Sequence, residues 1–229
     1  MLNVNPKNNK KMSNQKKFAV ILAGCGVFDG SELHESVLTL YSIVNNKGNY
    51  EIFAPDISQH HVVNHTTGNE MNETRNVLVE ASRIARGNIK SLGNFNAQEF
   101  DALIIPGGFG VAKNLSSFAF DGADCKIDPT VEKVIKEMAD QGKPIGALCI
   151  SPVLVAKILG DVEVTIGQDE GTASAIEQMG ATHKKTGHAE VVVDKNKKIV
   201  TSPCYMLDAD IVQIARGADN VVKEMFKLF

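Results

Sequence analysis

The stretch Lys143-Pro144-Ile145-Gly146-Ala147-Leu148-Cys149-Ile150-Ser151-Pro152 decides the fold. Ile145 to Leu148 is a short apolar run set off by a turn, the pattern of a strand buried on both faces. A helix follows within three residues, over about 152–159, with proline at its opening position. Strand, tight turn and helix in succession make half of a βαβ unit. The alternation persists in both directions. Upstream, strands are predicted over 18–23, 50–54 and 102–105, and helices over 31–44, 72–86 and 130–139. In the first of these helices Ser31 is the cap, and Leu33, Val37, Leu40, Tyr41 and Val44 fall at helical spacing as an apolar face. Residues 56–70 have no clear period, and 109–128 read as a long loop with a short helix. Downstream, strands are predicted over 162–166, 189–193 and 199–201, before a closing helix over 209–226. Such alternation implies an α/β protein with a mostly parallel sheet and helices on both faces.

Hydrophobic residues make up 43% of the 229, enough for a sizeable core, and no run of about 18 apolar residues exists to span a membrane. Residues 1–17 hold five lysines and no acid. The net charge of −3 therefore leaves −8 on the remainder (−3 less +5). An acidic body argues against nucleic acid as a partner. The tail, 1–16, is expected to be disordered, and 17–229 reads as a single domain. Met12, just ahead of the first apolar run, is an alternative start. The four cysteines, Cys25, Cys125, Cys149 and Cys204, make no CxxC pair, so zinc-knuckle and thioredoxin chemistry have no support. Free thiols, with neither a signal peptide's apolar segment nor an Arg-rich transit pattern, give the expectation of a cytoplasmic protein.

Ligands of parallel sheets bind beyond the C-terminal strand ends. Residues 24–31, 106–110 and 149–152 are expected to meet there. The turn at Cys149 has the strand–turn–helix form of a nucleophile elbow, with Ser151 where a glycine is usual. A helix start beside the thiol favours thiolate, so a lowered pKa is expected. Pro106-Gly107-Gly108-Phe109-Gly110 lets backbone approach a ligand closely. Opposite the elbow, the N–H groups of Gly108 and Ile150 are the natural oxyanion-hole donors. Asp29-Gly30-Ser31-Glu32-Leu33-His34-Glu35 supplies a carboxylate. Glu32 and Glu35 lie three apart on a similar helical face, so spacing does not choose between them.

Other residues suggest lesser roles. Cys25 and His34 lie near the same strand ends and are possible pocket residues, as are Glu35 and Gly107. Lys113 and Asn114 follow the glycine turn and are candidates for contact with substrate or a partner subunit. His60, His61, His65, Glu70 and Glu73 resemble a metal set only in composition: His60 and His61 are adjacent and point opposite ways in an extended chain. No metal is expected. Cys125 and Cys204 read as structural.

Taken together, Ser31-Glu32-Leu33, Pro106 to Gly110 and Ala147-Leu148-Cys149-Ile150-Ser151-Pro152 resemble the PfpI-type, class I glutamine amidotransferase-like superfamily. The runs 24–35, 73–81 and 106–116 are similar to its ElbB branch, named for enhancing lycopene (isoprenoid) biosynthesis, and the likeness extends over about 17–228. The resemblance implies a flavodoxin-like three-layer sandwich and a homodimer. It also implies a nucleophilic Cys149 with Glu32 as its carboxyl neighbour. Proteins of that branch are described as cofactor-independent glyoxalases, acting on a small aldehyde, methylglyoxal or glyoxal, to give the 2-hydroxy acid. Two departures bear on mechanism. Ile150 stands where many members have histidine. His188-Ala189-Glu190 has the composition of an amidotransferase triad but lies at a predicted strand start. Both disfavour amidase chemistry and leave a carboxylate as proton shuttle. The competing class is a cysteine redox sensor or stress-response binding protein on the same scaffold.

Overall fold

The structure is a computed structural model and describes residues 15–229. Met12 and most of the predicted tail lie outside the described residues. In chain order the elements are β1 (Lys17–Ile21), α1 (Leu33–Asn45), β2 (Asn49–Ala54), α2 (Val77–Ile84), β3 (Lys90–Ser91), β4 (Ala102–Ile105), α3 (Phe109–Lys113), α4 (Phe118–Asp121), α5 (Pro129–Asp140), β5 (Ile145–Leu148), α6 (Pro152–Leu159), β6 (Glu163–Val164), α7 (Glu170–Gln178), β7 (Thr182–His183), β8 (Val192–Asp194), β9 (Ile199–Ser202) and α8 (Ile211–Phe226). Seven strands form one sheet in the order β3-β2-β1-β4-β5-β9-β8. All its pairs are parallel except β8 with β9. β6 and β7 make a separate parallel ribbon.

The sheet is covered on both faces, a flavodoxin-like three-layer sandwich. Alternation along β1 sends Phe18, Val20 and Leu22 to one core and Ala19, Ile21 and Ala23 to the other. The first core is closed by α1, α2 and α8, through Ile43, Ala81, Ala218 and Val222. The second is closed by α5 and α6, through Ile135, Met138 and Leu154. Among the described residues no helix is long and apolar enough to cross a membrane.

Several sequence expectations are corrected. α1 is turned over: it buries Glu35, Ser36, Thr39, Ser42 and Ile43. Leu33, Val37, Tyr41 and Val44, expected to face the core, are 43–62% exposed. Small residues on the inner face let α1 lie close against α8. The helix predicted from 72 begins at Val77, because the Asn76 side chain accepts from the Val79 N–H and caps it. The strand predicted over 162–166 shrinks to β6 and leaves the main sheet. The loop over 109–128 holds α3 and α4. α7, β3 and β7 have no counterpart in the sequence reading: α7 buries only Ile176, and the two strands are two residues each, too short for periodicity to register.

Candidate active site

Four parallel strands, β1, β4, β5 and β9, end on one edge, and the segments after them converge there. Cys149 follows β5 directly with φ +59°. For a residue with a Cβ this costs roughly 1–2 kcal/mol, and the surroundings hold it. Its N–H donates to Ser202 O at 2.9 Å. The Ser151 hydroxyl donates to Pro106 O at 2.8 Å, joining the elbow to the turn after β4. α6 starts at Pro152.

Only glycine fits at 107. A Cβ there would lie 2.4 Å from Cys149 Cβ and 2.7 Å from Glu35 Oε2. This close approach brings Gly107 N–H to Glu35 Oε2 at 2.8 Å, while Gly107 O accepts from Glu32 N–H at 2.9 Å. Glu35 Oε1 accepts from the Tyr205 N–H at 3.2 Å. Glu35 is fully buried, and its carboxyl and the Cys149 thiol both face Gly107. Burial, opposed in part by the Tyr205 N–H and reinforced by Glu32, pushes its carboxyl up to about 7. Glu32 has another job. It is the N-cap of α1, its Oε2 accepting from Glu35 N–H at 2.7 Å, and it also lines the cavity.

The expected lowering of the Cys149 pKa is overturned. Burial first, then the Glu35 carboxylate and Cys204, push the thiol well above its ordinary value. The backbone N–H groups of Gly108 and Ile150 pull it down, and these are the two amides predicted as oxyanion donors. These two amides do not offset the cost of an ion at a buried position with a carboxylate beside it. At neutral pH the thiol thus keeps its proton beside a carboxyl that is only partly ionised.

Above the thiol is a cavity of about 440 Å³. Its walls are mostly apolar, including Val27, Phe109, Ala112, Phe118, Ile150 and Met206, with Glu32, Asp169, Thr172 and Tyr205 as the polar contributors. The scale suits a small molecule.

The remaining candidates divide. His34 is exposed, and its Nδ1 lies 2.7 Å from the Tyr205 hydroxyl. Cys25 does not line the cavity. It is half-buried beside Glu80 and Arg83, and burial with the Glu80 charge raises its pKa. The second thiol near Cys149 is Cys204, read from sequence as structural. Lys113 and Asn114 are loop ties rather than cavity residues. Lys113 Nζ donates to Phe28 O at 3.0 Å, and Asn114 Nδ2 donates to Ala23 O and Asp29 O, both at 2.9 Å. His60 packs at a tilt and His61 edge-on against Phe120, and His65 covers Gly26. Among the described residues no group of three His, Cys, Asp or Glu is arranged to hold a metal. His188 and Glu190 lie outside the cavity, with Glu190 Oε2 occupied by the Gly187 N–H at 2.6 Å. Tyr205 was missed. Its signal is positional: Pro203-Cys204-Tyr205 follows β9 onto the edge where the other three segments meet.

Comparison with known proteins extends this picture. The chain is 46% identical over 222 residues (93% of this chain, 83% of the relative) to the human glutamine amidotransferase-like class 1 domain-containing protein 3, mitochondrial. It is 34% identical over 229 residues (92% and 85%) to the ES1 protein, mitochondrial, of Danio rerio. These names overturn the cytoplasmic expectation, since relatives alike over nearly the whole chain are mitochondrial. Free thiols report a redox state and not an address. Among solved structures, an isoprenoid biosynthesis protein with amidotransferase-like domain from Ehrlichia chaffeensis superposes with a TM-score of 0.88 at 38% identity, covering 93% of this chain and 99% of its own. Glyoxalase III from Candida albicans superposes at 0.59 with 14% identity over 93% and 97%, a likeness of fold alone. The pattern described as the DJ-1/PfpI family matches residues 27–207, the span that carries Glu32, Glu35, Gly107, Cys149 and Tyr205, and the chain belongs to that family.

Proposed function

We propose that the chain is a cofactor-independent glyoxalase, converting methylglyoxal or glyoxal to the 2-hydroxy acid through Cys149. The observation that carries this is Cys149 lining a small, largely apolar cavity, with the Glu35 carboxyl buried behind it against the same glycine turn. Glu35 takes the thiol proton, and the sulfur bonds to the aldehyde carbon. The carbonyl oxygen, steadied by the Gly108 and Ile150 N–H groups, receives a proton to give a hemithioacetal. Having returned the thiol proton to that oxygen, Glu35 removes the hydrogen from the carbon and delivers it to the neighbouring carbon, while the hemithioacetal hydroxyl proton passes to the neighbouring oxygen. The first carbon is oxidised as the second is reduced, so no external electron acceptor is needed. Water cleaves the resulting thioester, releasing the hydroxy acid and restoring the thiol. A carboxyl held near 7 suits a group that must both accept and donate at neutral pH. The mechanism calls on no metal or organic cofactor.

A redox sensor needs an accessible thiolate. Cys149 is 7% exposed and its thiol is held protonated, which favours chemistry on a captured substrate. The 24–35, 73–81 and 106–116 runs, with the Ehrlichia relative, support placing the chain in the ElbB branch. Loss of methylglyoxal turnover in Cys149→Ser tests the reading.

The same reading includes a homodimer, formed through the outward face of α1. α1 and α8 run along each other, with Asn46 Nδ2 donating to Asp219 Oδ1 at 2.7 Å. Leu33, Val37, Tyr41 and Val44 on α1, with Ile211 and Val212 on α8, stand exposed. Two such faces would bury on the order of 1,000 Å², the lower bound for a specific interface. The acidic and basic residues of α1 are His34 and the buried Glu35, so this face carries no fixed charge. A two-fold contact sets a patch against itself, and an uncharged patch on an acidic body avoids self-repulsion. Sedimentation is expected to give a dimer for the wild type and a monomer for Val37→Glu/Tyr41→Glu with an unchanged circular dichroism spectrum. A monomeric wild type contradicts the assignment.

A further inference from the structure

Hydration and rearrangement of a 2-oxoaldehyde produce a carboxylic acid, which ionises fully at neutral pH. Each turnover therefore releases one proton inside the site. Glu35 is the proton shuttle there, yet it has no exposed surface and cannot pass a proton to bulk water directly.

We infer that Tyr205 and His34 form a relay that carries this proton from the cavity to solvent, an inference that rests on the glyoxalase reading. Tyr205 lines the cavity, and its hydroxyl lies 2.7 Å from His34 Nδ1. Its backbone N–H is bonded to Glu35 Oε1, which fixes the residue beside the shuttle. The preceding Cys204 has φ +42°, so the turn that aims Tyr205 is a strained one, held by its surroundings. His34 is exposed and adjoins Glu35 on α1, where successive side chains point in different directions. One helix turn therefore holds a carboxylate facing the thiol and an imidazole facing water.

The transfer needs no net chemistry. As the phenol accepts a proton from the cavity side, it passes its own to Nδ1, and the ring releases the Nε2 proton to solvent. Neither residue bonds to the substrate. The acidic groups around the phenol are Glu32, Glu35 and Asp210, with Cys204 also near. Burial first, and then these groups, disfavour phenolate, so the phenol conducts a proton rather than storing charge.

The test is steady-state turnover of methylglyoxal by wild type, Tyr205→Phe, His34→Gln and the double variant, in dilute buffer and with added imidazole. Phenylalanine keeps the ring, and glutamine keeps a hydrogen-bonding partner for Tyr205. Each single variant is expected to lose about tenfold in kcat in dilute buffer with KM unchanged. The double variant is expected to lose no more than either single one. Imidazole is expected to restore His34→Gln, a response that a purely structural role would not give. If kcat is unchanged in dilute buffer, or imidazole restores nothing, the relay is wrong while the glyoxalase reading stands. If the wild type turns over neither methylglyoxal nor glyoxal, both are wrong.

Discussion

Glu35→Gln is expected to lower kcat for methylglyoxal by about 10²- to 10⁴-fold, the range for removal of a positioned acid–base group. Glu32→Gln is expected to stay within about tenfold of wild type. Both carboxylates stand near the thiol, but their bonds differ. Glu35 lies beside Cys149, whose thiol feels its charge, and is held by two backbone N–H groups, from Gly107 and Tyr205. Glu32 is committed to the α1 cap, where glutamine still offers an accepting oxygen and the penalty is about 1 kcal/mol of stability or less. The reverse ranking would move the shuttle to Glu32. The same variant has a second readout. Glu35 titrates near 7 in the folded chain and near 4.5 when exposed. Between these values the folded state holds a proton that the unfolded state has released. Its stabilising contribution is complete below about 4.5 and is lost as pH rises through about 7. Wild type is therefore expected to lose up to about 3 kcal/mol relative to Glu35→Gln between pH 5 and pH 8. Urea unfolding at the two pH values checks this, and parallel slopes for the two proteins would contradict it.

Gly108→Ala is expected to destabilise the fold by about 3 kcal/mol or more. Gly108 has φ +106°, and a Cβ there would lie 2.4 Å from both Glu32 N and Gly30 O. Both are backbone atoms, at the start of α1 and in the turn after β1, so neither can swing aside. Relief requires the turn that seats Glu32 and Glu35 to move. Gly87→Ala is the control. It too has positive φ, +78°, but a Cβ there meets nothing within 4 Å. It is expected to show only the backbone strain, roughly 1–2 kcal/mol. Equal losses for the two variants in urea unfolding would mean that Gly108 is not a close-packing position.

The central strands β1 and β4 were legible because they are continuous apolar runs that end at Gly24 and Pro106, a pattern requiring burial on both faces. The elbow at Cys149 was legible because a strand end and a proline-opened helix only three residues apart leave little room for other geometry. The choice between Glu32 and Glu35 was not. Residues three apart share a helical face, and the deciding contacts, Gly107 N–H and Tyr205 N–H, come from segments 72 and 170 residues away. The orientation of α1 was misread for a related reason. Periodicity finds an apolar stripe but does not say whether it meets the core or another surface. The small inner face of Ser36, Thr39 and Ser42 is a packing solution against α8 that hydrophobicity does not score. Cys25 and Cys204 exchanged roles because each follows a strand, and only the fold shows that β9 adjoins β5 while the loop after β1 turns toward α2.

The account stands most directly on one measurement: consumption of methylglyoxal and glyoxal, with detection of lactate or glycolate and no glutathione, by wild type and Cys149→Ser. Turnover by the wild type that is absent from a folded Cys149→Ser is the expected result. Equal turnover in both, or none in a folded wild type whose Cys149 is freely alkylated, would contradict the assignment of this site to thiol-based glyoxalase chemistry.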